Sequence, residues 1–251
     1  MKVTLKVVFD GGHGPNTQGK RTPDGSLKEY EFNRAVANYA APMLREYNGV
    51  EVQFTHSDAR DVPLKERTDQ ANRWGADLFV SIHANSAGGS GWSDASGIET
   101  FIYTSNPKDS RAIAEVVQQH MVMATGLRDR GVKLGDLHVL RETHMTSILV
   151  ECGFMSNHAE AELLKQEPYR KTCAGAIVNA IVKHYGLQPI QKLEATKLEK
   201  WKLDMAMTAM DELAAKGILS DAEMWKKQLQ AGEIEKDLPW LMFTLMNRIA
   251  K

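Results

Sequence analysis

Short hydrophobic runs of strand type recur along the first three quarters of the chain, and helical patterns separate most of them. The runs are residues 5–9 (LKVVF), 50–54 (VEVQF), 77–83 (DLFVSIH), 98–103 (IETFIY) and 147–152 (SILVEC), with a weaker one at 137–140 (LHVL). Their brevity and their β-branched and aromatic content favour strands over buried helices. In 31–47 (EFNRAVANYAAPMLREY), Phe32, Val36, Tyr39, Ala40, Met43 and Leu44 recur at the spacing of one helix face. Residues 64–74 read as a second helix, with Asp61 before it as a cap and Pro63 near its first turn. Residues 108–123, 160–165 and 169–185 supply three more. This alternation predicts an α/β fold: a mostly parallel central sheet flanked by helices.

The pattern stops after Gly186-Leu187-Gln188-Pro189, and residues 190–251 read as helix only. A long helix over 193–217 is closed by Gly217, the pair Ser220 and Glu223 forms a capping box for a second, and Asp237-Leu238-Pro239 opens a third. Two domains are therefore expected, 1–188 and a small all-helical C-terminal domain over 189–251. About 60 residues is close to the lower limit for a core that stands alone. The tail is expected to pack against the main domain or to form a homodimer through its helices.

Several function classes are disfavoured. Formal net charge is -1, so no global basic field points to nucleic acid. No run is long and apolar enough for membrane insertion. The only cysteines, Cys152 and Cys173, form no CxxC pair and read as buried free thiols. The opening MKVTLKVVFD carries too short an apolar stretch for a signal peptide, which predicts synthesis in the cytoplasm. There is no HExxH helix, Gly-x-Ser-x-Gly elbow, P-loop or dinucleotide fingerprint.

The chemistry is expected where strands end. His13 sits among Gly11, Gly12 and Gly14 directly after the first strand. His83 ends the strand DLFVSIH, and Glu151 ends SILVE. In an open α/β sheet, functional groups gather beyond the carboxyl ends of the strands. Two imidazoles and a carboxylate are suitable zinc ligands, and a catalytic zinc keeps three of them plus an open position. Glu29 and Glu31, in LKEYEF, both qualify as the third ligand by position. Taken singly, each histidine reads as a loop residue and Glu29 as a solvated residue favoured by the helix dipole. Glu151 is harder to dismiss, because its apolar neighbours predict burial and an unpaired buried carboxylate is costly.

FDGGHG, LKEYEFNRAVA, LKERTDQAN, DLFVSIHAN, SGIETFIY, DRGVKLGDLHVLRET and SILVECGFMSN occur in the order found in zinc-dependent N-acetylmuramoyl-L-alanine amidases, the amidase-3 group. The chain resembles these enzymes over about residues 3–187. The resemblance implies a Zn2+ site made by His13, Glu29 and His83, with Glu151 as the catalytic carboxylate. It also implies the reaction: a zinc-activated water hydrolyses the amide joining N-acetylmuramic acid to L-alanine in bacterial peptidoglycan, and the cell wall is lysed. The chain departs from the family where Pro-Ala usually precedes the last strand; here the stretch is His144-Met145-Thr146-Ser147-Ile148. The loop GPNTQGKRTPDGS is individual to this chain and is expected to shape the substrate groove.

Rival readings are a zinc exopeptidase and a wall-binding protein without catalysis. Cys152, adjacent to Glu151, alternates to the opposite face of its strand and is a poor candidate nucleophile. His138 and His144 read as exposed loop bystanders, and Arg141 as a partner of a peptide carboxylate or of Glu142. In the tail, Leu198, Trp201, Met205, Ala209 and Leu213 recur at three- and four-residue steps, followed by Trp225, Trp240, Leu241 and Met246. A small helical core accounts for most of them. The resemblance makes cell-wall binding the functional reading of 189–251, and phage endolysin or bacterial autolysin the expected setting: an enzyme made in the cytoplasm that acts on the wall after release.

Overall fold

The computed structural model describes residues 4–89, 91–190 and 200–231, without side-chain placement for 200–203 and 231. It divides into two units, Met1–Ile190 and Gln191–Lys251. The first is an α/β unit in the order β1 (Leu5–Gly11), α1 (Glu29–Leu44), β2 (Val50–Phe54), α2 (Leu64–Trp74), β3 (Leu78–Asn85), β4 (Ile98–Tyr103), α3 (Lys108–Thr125), β5 (Asp129–Gly135), α4 (His138–Arg141), β6 (Thr146–Phe154), α5 (His158–Lys165) and α6 (Glu167–Tyr185).

The six strands form one sheet in the order β2-β1-β3-β6-β4-β5. All neighbours pair in parallel except β4 and β6, which run antiparallel. The exception follows from the connection. A parallel return needs a crossover, usually a helix, and none lies between β3 and β4.

The strands β1, β3, β4 and β6 feed two cores. Phe9, Val80, Ile82, Val150 and Cys152 pack with Phe32, Val117 and Ile177, of helices α1, α3 and α6 respectively, on one face. Val8, Phe79 and Leu149 pack with Ala71 of α2 and with Val139 and Leu140 of α4 on the other. Burial on both sides is why the strands read as nearly continuous apolar runs.

Two elements differ from the sequence expectation. LHVL does not form a strand; its last three residues begin the single-turn helix α4. A pleat would send Val139 and Leu140 to opposite faces, whereas both join the same core. The strand β5 (DRGVKLG) has no strand signature because it lies at the edge of the sheet, carries two glycines, and is mostly partly buried or exposed.

The second unit contains α7 (Lys200–Ala215) and α8 (Ala222–Ala231) among its described residues. Gly217 adopts φ 68° after α7, as a helix-ending glycine does. Leu219 and Trp225 are buried together against Met210, Leu213 and Ala222. The third expected helix, Leu198, Trp240, Leu241, Met246 and the side chain of Trp201 lie outside the described residues.

Candidate active site

The first strand delivers its histidine through a turn with little room. A Cβ on Gly12 would fall 2.1 Å from the His83 ring, and one on Gly14 would fall 2.4 Å from Asp61 Oδ1. Only glycine allows the loop to pass so close to both. His13 adopts φ 65°, the left-handed region, which costs a non-glycine residue on the order of 1 kcal/mol or more.

Arg67 holds that conformation. It lies on α2 and is 2% exposed. Its Nη2 donates to the His13 carbonyl at 2.6 Å; its Nη1 donates to the Gly11 carbonyl and to Asp10 Oδ1, both at 2.7 Å; its Nε donates to the Val62 carbonyl at 2.9 Å. Asp10 also accepts from Thr55 Oγ1 at 2.8 Å and Ser81 Oγ at 2.7 Å. Burial by itself would raise the Asp10 carboxyl, but the Arg67 charge and these hydrogen bonds outweigh it and hold it below the ordinary range.

Glu29, the first residue of α1, is 2% exposed. Its Oε2 lies 3.2 Å from His13 Nε2, and its Oε1 lies 2.9 Å from His83 Nδ1. Asn33 Nδ2 donates to Glu29 Oε1 at 3.3 Å and to the Gly12 carbonyl at 3.0 Å, tying the helix to the loop. The rings of His13 and His83 meet edge to face at 5.0 Å. One ligating atom from each of His13, Glu29 and His83 lies within 4.8 Å of the others. Burial opposes ionisation of Glu29, yet the two imidazoles bring its pKa well below the carboxylate range. Burial likewise opposes a charged His83, and Glu29 reverses this, raising it. Glu31, the other acid considered from sequence, instead accepts from the Lys28 backbone N–H at 3.1 Å and caps the helix start.

Glu151 is the register partner of His83, so both side chains leave the same face of the sheet. Its Oε2 is buried and has no hydrogen-bond partner among the described residues. Burial pushes its pKa up to about 8, with His83 opposing and Glu29 and Glu99 assisting. A cleft of about 460 Å³ opens here, and Gly12, His13, His83, His138 and Glu151 all line it. Thr17 and Lys20, from the loop individual to this chain, line it too.

The remaining candidates divide. His138 lines the cleft, with its Nε2 buried and unpartnered among the described residues. His144 lines a neighbouring groove with Lys65 and Arg73, which His138 also borders. Arg141 pairs with Asp136 and with Glu142. Cys152 points into the core on the other face, where burial pushes its thiol up. The sequence expectation omits Asp10, Asn33 and Arg67. Arg67 left a signal: it shares a helical stripe with Leu64, Thr68 and Ala71, where an arginine must find buried acceptors.

The chemistry of the donor set suits a metal such as zinc, which takes imidazole nitrogen and carboxylate oxygen at tetrahedral sites. Glu29 is already a buried anion facing two imidazoles, so a cation there meets compensating charge.

Comparison with known proteins identifies the family. Residues 7–183 match the Amidase_3 family, described as N-acetylmuramoyl-L-alanine amidase. The amidase CwlM of Bacillus licheniformis is 32% identical over 183 residues, 73% of this chain and 70% of that protein. The endolysin of Bacillus phage SPP1 is 29% identical over 77% of this chain and 70% of its own length. Among solved structures, the catalytic domain of the amidase CwlV from Bacillus (Paenibacillus) polymyxa superposes with a TM-score of 0.68 at 35% identity, covering 74% of this chain and all of that one. The sheet from Val7 onward, the loop that carries His13 and the paired ends of β3 and β6 all fall inside the matched region, and the chain belongs to the N-acetylmuramoyl-L-alanine amidase family, whose reaction is hydrolysis of an amide in peptidoglycan.

Proposed function

We propose that this chain cleaves the bond between N-acetylmuramic acid and L-alanine with a Zn2+ ion held by His13, Glu29 and His83, and with Glu151 as general base and then general acid. The observation that carries the reading is the close approach of three ligating atoms beside a carboxylate in register with one of them. When bound, zinc supplies Lewis acidity to the amide carbonyl and lowers the pKa of a coordinated water toward ~7. Glu151 takes the proton from the attacking water and delivers it to the departing alanine nitrogen. Burial favours its protonated form, as the second half of that cycle requires. Leu64, Val139 and Leu149 give the cleft apolar walls beside the proton transfer.

The test separates ligand from base. Glu151→Gln is expected to keep its zinc by metal analysis and to lose turnover by roughly a hundredfold or more. His13→Ala is expected to lose zinc. Mass spectrometry of digested walls should find free L-alanine termini on the released stems. A well-folded Glu151→Gln variant with full activity removes Glu151 from the mechanism, and products cut elsewhere in the stem favour an exopeptidase.

We further propose that 189–251 binds the wall and that the enzyme acts there after release, a setting supported by the name endolysin of the SPP1 relative. Trp225 contributes packing rather than a sugar platform, since it is 5% exposed.

A further inference from the structure

We infer that Arg130 forms a carboxylate-binding subsite for the peptide stem, two strands away from Glu151 across the sheet, with Glu99 between them; this rests on the amidase reading above. The sheet register builds it. Glu151 on β6 pairs with Glu99 on β4, and His83 pairs with Glu151 on the other side. Side chains at paired positions share a face, so His83, Glu151 and Glu99 form a row across three strands. Next to Glu99 the row meets an irregularity. Ile98 pairs with Asp129 and Thr100 with Val132, so Arg130 and Gly131 together oppose Glu99 alone. Such a bulge re-aims a side chain, and Gly131 adopts φ 77° to make it.

The re-aimed Arg130 is braced from several sides. Its Nε donates to Glu99 Oε2 at 2.7 Å, its Nη1 lies 3.4 Å from the Ser96 carbonyl, and its guanidinium stacks on Phe154 at 4.8 Å. Glu99 is itself fixed, since its Oε1 accepts from Asn85 Nδ2 at 2.6 Å. The side chain remains 29% exposed, and Nη2 has no hydrogen-bond partner among the described residues. A guanidinium held through Nε and Nη1, with Nη2 left open, is pre-organised to meet an anion. One strand spacing plus one hydrogen bond puts it on the order of 7 Å from the Glu151 position. An extended peptide covers that distance in about two residues. In a peptidoglycan stem, two residues from the scissile nitrogen lies the second residue, whose α-carboxyl is free in some walls and amidated in others. The subsite selects the free acid.

The test uses the zinc-loaded full chain with paired ligands, identical except for an acid or an amide at that α-carboxyl. Turnover is read on a muramyl tripeptide, and binding of the free tripeptide is read by calorimetry. Arg130→Lys keeps a cation beside Glu99 but loses the fork; Arg130→Met with Glu99→Gln removes the pair without stranding a charge. The wild type is expected to prefer the acid roughly ten- to hundredfold in KM and Kd, with kcat affected less, and both variants to bring that ratio close to one. Equal handling of acid and amide by the wild type, or an unchanged preference in the variants, overturns the subsite while hydrolysis upholds the amidase reading. Arg130-dependent binding of the acid without hydrolysis of either muropeptide upholds the subsite and overturns the amidase reading.

Discussion

Arg67 and Glu151 are the two residues whose burial is most informative. Arg67 spends its guanidinium on backbone carbonyls and Asp10, so its role is to fix the path of the chain into His13. Arg67→Lys cannot reach all these acceptors. It is expected to weaken zinc affinity about ten- to hundredfold in a chelator competition, with the circular dichroism of the sheet retained. Unchanged affinity in a folded variant would show that His13 keeps its conformation unaided. Glu151 makes a pH prediction for the protein stripped of metal. Its folded pKa of about 8 lies above the ordinary 4.5, so between those values the native state holds a proton that the unfolded chain has released. Stability from this group is complete below about pH 4.5 and falls as pH rises through 8. Glu151→Gln should therefore stabilise the stripped protein relative to wild type at pH 8.5 by on the order of 1–3 kcal/mol, and barely at pH 4.5. Equal unfolding midpoints at both pH values count against a buried, strained carboxylate. At this scale His13 and His83 were legible, because glycines and strand ends mark them. The choice between Glu29 and Glu31 was not settled by spacing, since both fall in the first turn of α1; only the helix start, where Lys28 places Glu31 back on its own backbone, separates them.

At the scale of elements, the runs that became β1, β3, β4 and β6 were readable because burial on both faces writes an apolar run, and β2 because its apolar residues alternate toward one core. The edge strand β5 was not, and yet its bulge aims Arg130. A second irregularity lies just past Glu151: Ala84 faces both Cys152 and Gly153, and Gly153 adopts φ 130°. Glu160 of α5 stabilises the end of β6 beyond it, accepting from the Phe154 N–H at 2.6 Å through Oε2 and from the Gly97 N–H at 2.8 Å through Oε1. Burial raises this carboxyl, and the two N–H groups oppose that. In Glu160→Gln one amide N–H2 must face a backbone donor. A loss of about 1–3 kcal/mol is expected, read as a drop in Tm of roughly 3–10 °C, with turnover falling as the strand beside Glu151 loosens. A variant with wild-type Tm would assign the hold on β6 to the α5 cap at Asn157 instead.

For the whole molecule, the change in composition near residue 190 was legible, because strand patterns simply end there. The order of strands was not, since β4 enters between β6 and β5 and no local pattern encodes that. Cleavage of the chain after Ile190 is expected to leave hydrolysis of soluble muropeptides nearly intact and to abolish co-sedimentation with purified walls. Wall binding that survives the truncation transfers that role to the sheet-bearing unit.

The Asp10 carboxylate is reached from Thr55, Arg67 and Ser81, which lie 45, 57 and 71 residues away along the chain. Contacts so distant close late in folding, after the entropy of long loops has been overcome. The turn that presents His13 is thus finished only when β1, β3, α2 and the end of β2 have come together, so the grip on a metal belongs to the assembled sheet and to no isolated segment.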